Sequence, residues 1–114
     1  MTFYMSKRNP ALLIEDILES ANKIILFTED MSFEDFESDI KTIDAVIRNF
    51  EVIGEASNRL PESFKDINEN IDWQKIIGFR NKLIHDYVKV NNGIVWEIRN
   101  DYLPLLITEL EKIK

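Results

Sequence analysis

An all-α bundle is the fold this sequence predicts, and three observations predict it. Apolar residues recur at three- and four-residue intervals along most of the chain. No segment sustains the two-residue alternation of a half-buried strand. Asn, Ser, Asp and Pro stand where helices would start and stop. With 114 residues and 45% hydrophobic content, the chain can bury a core as one domain spanning residues 1–114. Four or five helices on short connections then form an antiparallel bundle.

Each element follows from local chemistry. Asn9 is a good N-cap, and Pro10 fits the first helical position, where its missing N–H is not needed. Leu13, Ile14, Ile17, Leu18, Ala21, Ile24 and Ile25 give that first helix one broad apolar face. The polar run Thr28-Glu29-Asp30-Met31 ends it, and Ser32 with Asp35 forms a capping arrangement for a short acidic helix through Phe33 and Phe36. A long helix starts near Ser38 or Asp39 and stops at Leu60, before Pro61. Its expected buried stripe is Ile40, Ile43, Ile47, Phe50, Ile53 or Gly54, Ser57 and Leu60, with Gly54 and Ala56 as small surfaces for close helix approach. Residues 61–70 read as a loop with at most a turn of helix over 63–67.

Asp72 caps the next helix, which offers Trp73, Ile76, Ile77, Leu83 and Ile84 to the core. Residues 88–93 are too short and too rich in Asn and Gly to continue it. The last helix runs from Asn92 or Ile94 to Lys112, using Val95, Ile98, Tyr102, Leu105, Leu106, Leu110 and Ile113. Pro104 lies inside it and should kink or split it near Asn100-Asp101. Phe79, Tyr87 and Trp96 are candidates for an interface, although aromatics at helical spacing more often belong to the intrachain core.

The chemistry concentrates in Arg80-Asn81-Lys82-Leu83-Ile84-His85-Asp86-Tyr87, which holds the only histidine of the protein. A histidine titrates near neutral pH and can take and return a proton. An arginine is always charged and matches phosphate geometry with a planar fork of donors. Together they suffice for RNA cleavage without a metal, in which a ribose 2′-hydroxyl attacks its own phosphate. At about 100° per residue, Arg80 and Tyr87 share a helix face, whereas His85 stands roughly 140° from Arg80. Either the helix ends or distorts around His85, or a second copy of the chain completes the site. The plainer alternative makes His85 a cation favourable at a helix C-terminus and Arg80 and Tyr87 ordinary surface and packing residues.

Composition excludes several classes. There is no cysteine, hence no disulfide framework and no thiolate zinc site, and one histidine rules out a multi-histidine metal site within one chain. We expect no metal and no cofactor. Residues 1–8 lack a continuous apolar core, and no apolar run approaches about 18 residues, so a cytoplasmic protein without membrane attachment is expected. The net charge of −7 argues against a general nucleic-acid binder. Residues 73–99 nonetheless carry Lys75, Arg80, Lys82, Lys89 and Arg99 against Asp86 and Glu97, a local +3 on a body of −10. Such a patch suits RNA or an acidic partner.

Arginine followed directly by asparagine, then histidine five positions and tyrosine seven positions after the arginine, resembles the signature of HepT-like proteins of the HEPN superfamily. The likeness extends to Val52-Ile53-Gly54-Glu55-Ala56-Ser57-Asn58-Arg59-Leu60-Pro61, to Ile71-Asp72-Trp73 and Ile76-Ile77-Gly78-Phe79, and to Ile94-Val95-Trp96-Glu97-Ile98. It covers the chain from about residue 10 to residue 112. The resemblance implies a HEPN-like bundle acting as a homodimer, with the motif facing a cleft between protomers. It implies the toxin of a type VII-like toxin–antitoxin pair, a metal-independent endoribonuclease cleaving tRNA or mRNA. In that family the partner is a minimal nucleotidyltransferase antitoxin that transfers adenylate to the motif tyrosine. Arg80 would then stabilise the transition-state phosphate, His85 would be the acid/base and Tyr87 the modified residue. Asn81 would position Arg80 or the substrate, and Glu55, Asn58 and Lys82 would support the site. Two alternatives stay open: a non-catalytic nucleotide- or partner-binding HEPN subunit, and a purely structural helical dimerisation module.

Overall fold

The computed structural model describes residues 9–85 and 91–113. Every regular element among them is helical: α1 (Pro10–Phe27), α2 (Phe33–Glu37), α3 (Ile40–Arg59), α4 (Glu62–Ile67), α5 (Trp73–His85), α6 (Asn92–Asp101) and α7 (Leu103–Ile113). The all-α expectation therefore holds. No described helix is long and apolar enough to cross a membrane.

The helix starts are set by short polar side chains that satisfy first-turn N–H groups. Asn9 accepts from the Leu12 amide at 3.0 Å. Ser32 and Asp35 make the reciprocal bonds of a capping box at 3.1 Å each. Asp39 accepts from the Thr42 amide at 3.1 Å and its hydroxyl at 2.8 Å, which together hold the Asp39 carboxyl below its ordinary pKa. Asp72 accepts from the Lys75 amide at 3.1 Å, and Asn91 from the Ile94 amide at 2.8 Å. Pro104 splits the last helix as expected. It has no N–H to donate to the Asn100 carbonyl, and the chain breaks at Tyr102 between α6 and α7.

α1 packs on α3, α3 on α5, and α7 on α1, while α2 bridges α3 and α6. The core holds Leu13, Ile17, Ala21 and Ile24 from α1, Val46, Phe50 and Ile53 from α3, and Ile76, Phe79 and Leu83 from α5. Phe50 and Phe79 meet edge to face with ring centroids 5.3 Å apart. Phe79 is thus intrachain core, not a free interface residue. Trp96 is half-buried against Phe33 and Phe36. Tyr87 lies outside the described residues.

Three expected core residues are exposed: Ile40 at 74%, Leu105 at 66% and Ile84 at 43%. Periodicity measured from the observed core explains each. Ile40 is six residues before Val46 and falls about 120° off the α3 stripe, while Leu105 and Ile84 each stand about 100° from the buried Leu106 and Leu83. The segment after Pro61 also holds more order than a loop, because α4 is tied down. Lys65 is buried, its Nζ donating to the Ser57 carbonyl at 3.3 Å and pairing with Glu62 at 3.6 Å. The expected helix break over 88–93 falls partly outside the described residues. Of its described part, Asn91 caps α6 and Asn92 and Gly93 begin it.

Candidate active site

The site begins with a glycine. Gly54 lies where α3 crosses α5, and a Cβ placed there would sit 2.2 Å from Arg80 Cβ, 2.7 Å from Arg80 Cγ and 3.1 Å from the Ile76 carbonyl. Only a residue without a side chain permits this approach. The crossing presses the stem of Arg80 onto the α3 backbone and leaves the side chain 24% exposed.

The guanidinium then turns along α3 toward the next residue. Arg80 Nη2 meets Glu55 Oε1 at 2.6 Å, and Arg80 Nη1 donates to Asn81 Oδ1 at 2.9 Å. Arg80 Nε is buried and has no hydrogen-bond partner among the described residues. Glu55 holds a second cation, because Arg59, one turn further along α3, donates its Nε to Oε2 at 2.9 Å. One carboxylate thus bridges two guanidinium groups. A charge-assisted pair at these distances fixes orientation as well as adding attraction.

Of the residues singled out in the sequence, Arg80, Asn81 and Glu55 come together here. Asn58, Lys82 and His85 are exposed, and no hydrogen bond or ion pair joins them to Arg80. His85 is the last residue of α5, which stays helical through it, so the helix does not distort to bring His85 round to Arg80. Tyr87 and Asp86 lie outside the described residues. Among those described, no group of three or more His, Asp or Glu residues is placed to hold a metal ion.

Two features were not singled out in the sequence. Arg59 was legible as the i+4 partner of Glu55, a spacing at which opposite charges meet on one helix face. The burial of Lys65 had no signal, since it depends on how α4 folds back on the end of α3.

Across the described residues the fold and this cluster define an all-helical protein that presents an anchored arginine at a helix crossing and an exposed histidine at the end of the same helix. The chain belongs to the ribonuclease HepT-like family, whose model matches residues 17–113. Probable ribonuclease HepT of Thermococcus cleftensis is 40% identical over 108 residues, covering 95% of this chain and 98% of that protein. A Methanocaldococcus jannaschii protein named as a putative RNase is 43% identical over 109 residues, 96% of this chain and 90% of its own. One of the same description from Caldanaerobacter subterraneus is 36% identical over 106 residues, 93% and 95%. No solved structure matches the chain significantly.

Proposed function

We propose that the protein is a metal-independent endoribonuclease in which Arg80 and His85 act on one scissile phosphate. The observation that carries this reading is the contrast between the two residues. Arg80 is held by Gly54, Glu55 and Asn81, whereas His85 ends the same helix exposed and unpaired with any described residue. A fixed cation stabilises the charge developing on a phosphoryl group without reorganising during the reaction. An exposed imidazole at the end of the helix is placed to take a proton from a substrate hydroxyl and return one. His85 takes the proton of the ribose 2′-hydroxyl, the 2′-oxygen bonds to phosphorus, and the 5′-oxygen leaves with a returned proton.

Because α5 is helical through His85, Arg80 and His85 of one chain face different directions, which supports a site shared between two copies. Exposed Ile84, beside His85, offers apolar surface for such a homodimer. The regulating partner in this reading is a nucleotidyltransferase antitoxin that adenylylates Tyr87. The added phosphate and base, two residues from His85, then block the cleft and compete for Arg80.

The test is RNA cleavage in chelator by wild type, Arg80→Ala and His85→Ala, followed by mixing the two inactive variants. Cleavage lost in each variant and partly restored on mixing is expected, since a mixed dimer rebuilds one complete site. Wild-type protein that leaves RNA intact, or variants as active as wild type, would refute the reading. Mass spectrometry after co-expression with the nucleotidyltransferase should find an adenylate-sized adduct on Tyr87. The pairing of Arg80 with Glu55 favours a second reading, in which the neutralised pocket binds a nucleotide or partner without cutting RNA; nucleotide binding with RNA left intact would support that one.

A further inference from the structure

We infer that Arg59 is a second phosphate-contacting residue, docked beside Arg80 by their shared carboxylate, so that an RNA strand engages two guanidinium groups at the α3–α5 crossing. The inference rests on the ribonuclease reading and extends its substrate contacts to a residue outside the motif.

The argument is one of unused donors. An arginine presents five N–H donors in a planar fork. Arg59 spends one, its Nε on Glu55 Oε2, and its two Nη groups have no partner among the described residues. The other described arginines are differently placed. Arg99 donates Nε to Thr28 at 2.8 Å and Nη1 to Asn100 at 2.9 Å, and lies over the Trp96 ring. Arg48 reaches Glu51 only at 4.0 Å and stands 62% exposed. Arg59 alone pairs a fixed Nε edge with a free Nη edge next to Arg80.

Charge points the same way. Glu55 carries one negative charge and faces two guanidinium groups, leaving one positive charge unneutralised on a protein of net −7. An exposed ion pair at i,i+4 contributes little to stability. Its effect is instead to hold a long, rotamer-rich side chain in one place, where its free edge accepts a phosphate in bidentate fashion. Both oxygens of Glu55 are occupied, each by a different arginine, so one carboxylate orients both cations. Glu55 is therefore a positioning residue for the pair, and Arg59 and Arg80 are the contacts.

The experiment uses full-length His85→Ala protein, which does not cut its ligand, and a fluorescein-labelled single-stranded RNA followed by anisotropy across a salt series. Adding Arg59→Gln should weaken binding about tenfold at low salt and reduce the slope of log affinity against log salt by about 0.7, the value for one lost phosphate contact on a single strand. Arg59→Lys should restore the slope but not the whole affinity, because it returns the charge without the fork. In the cleaving protein, Arg59→Gln should raise KM more than it lowers kcat. Affinity and slope unchanged by Arg59→Gln, in a protein that binds RNA and loses that binding with Arg80→Ala, would overturn this inference alone. No RNA binding by His85→Ala together with no cleavage by wild type would overturn the ribonuclease reading as well.

Discussion

Gly54→Ala should damage both fold and activity, and its size can be worked from the crossing. The new Cβ would lie 2.2 Å from Arg80 Cβ and 2.7 Å from Arg80 Cγ, whereas carbon atoms in contact sit about 3.5–4.0 Å apart. The nearest atom is fixed to the α5 backbone and cannot swing away, so α3 and α5 must part by more than about 1 Å. Overpacking of this kind costs about 1–3 kcal/mol, here toward the upper end. The gain from replacing a helical glycine by alanine, about 0.5–1 kcal/mol, offsets part of it. A net loss of about 2 kcal/mol lowers Tm by about 8 °C in a domain of this size. Gly78→Ala is the matched control: Gly78 is exposed within α5, and beyond its own helix backbone and chain neighbours no atom of the described residues lies within 4 Å of a new Cβ, so Tm should rise by about 2–4 °C. Under the proposed mechanism the displaced Arg80 also loses cleavage by about a hundredfold, the scale of a 1 Å misplacement, while Gly78→Ala retains it. Thermal unfolding followed by circular dichroism, with RNA cleavage below both transitions, checks both. A Gly54→Ala protein as stable as Gly78→Ala would refute the reasoning, because it would show that the two helices separate at no cost.

Three further outcomes are expected. The Tyr102 hydroxyl donates to the Asp72 carbonyl at 2.9 Å, and burial, with the Asp72 carboxylate adding to it, pushes its pKa well above the ordinary value. Its contribution to stability is full below the unfolded pKa of about 10 and is lost as pH rises beyond it; denaturant unfolding should show Tyr102→Phe about 1 kcal/mol less stable at pH 7, with the deficit shrinking above pH 10. The Ser57 hydroxyl is buried in α3 without a hydrogen-bond partner among the described residues, so Ser57→Ala should leave stability unchanged or raise it by about 1 kcal/mol in the same assay. Asn9→Ala should cost about 1 kcal/mol, read as a lower denaturant midpoint at constant m, because it removes the cap on the Leu12 amide.

The fold was largely legible because its punctuation is local. Asn9, Ser32, Asp35, Asp72 and Pro104 each act on residues within four positions, and the observed helix ends follow them. The core faces were less legible at their edges. Ile40, Ile84 and Leu105 carry the right side chain at the wrong angle, and one residue of phase decides burial. The arrangement of side chains around Arg80 was not legible. That Gly54 must be bare and that Glu55 grips both Arg59 and Arg80 depends on where α5 crosses α3, which periodicity within either helix does not encode. Lys65 shows the same limit, since its charge argues for solvent until the Ser57 carbonyl is placed beside it.

The position of Arg80 on α5 explains why the proposed reaction would need more than one chain. Arg80 stands four residues after Ile76, at the edge of the core face, so the packing of α5 on α3 fixes its stem. His85 stands about 200° from Leu83, a core residue on the same helix, so the packing that fixes Arg80 directs His85 into solvent. Unwinding α5 to converge them would break helical hydrogen bonds and draw Leu83 out of the core. Under the proposed mechanism a second copy would supply the histidine without that loss, and the glycine at the crossing keeps the arginine where a shared cleft would use it.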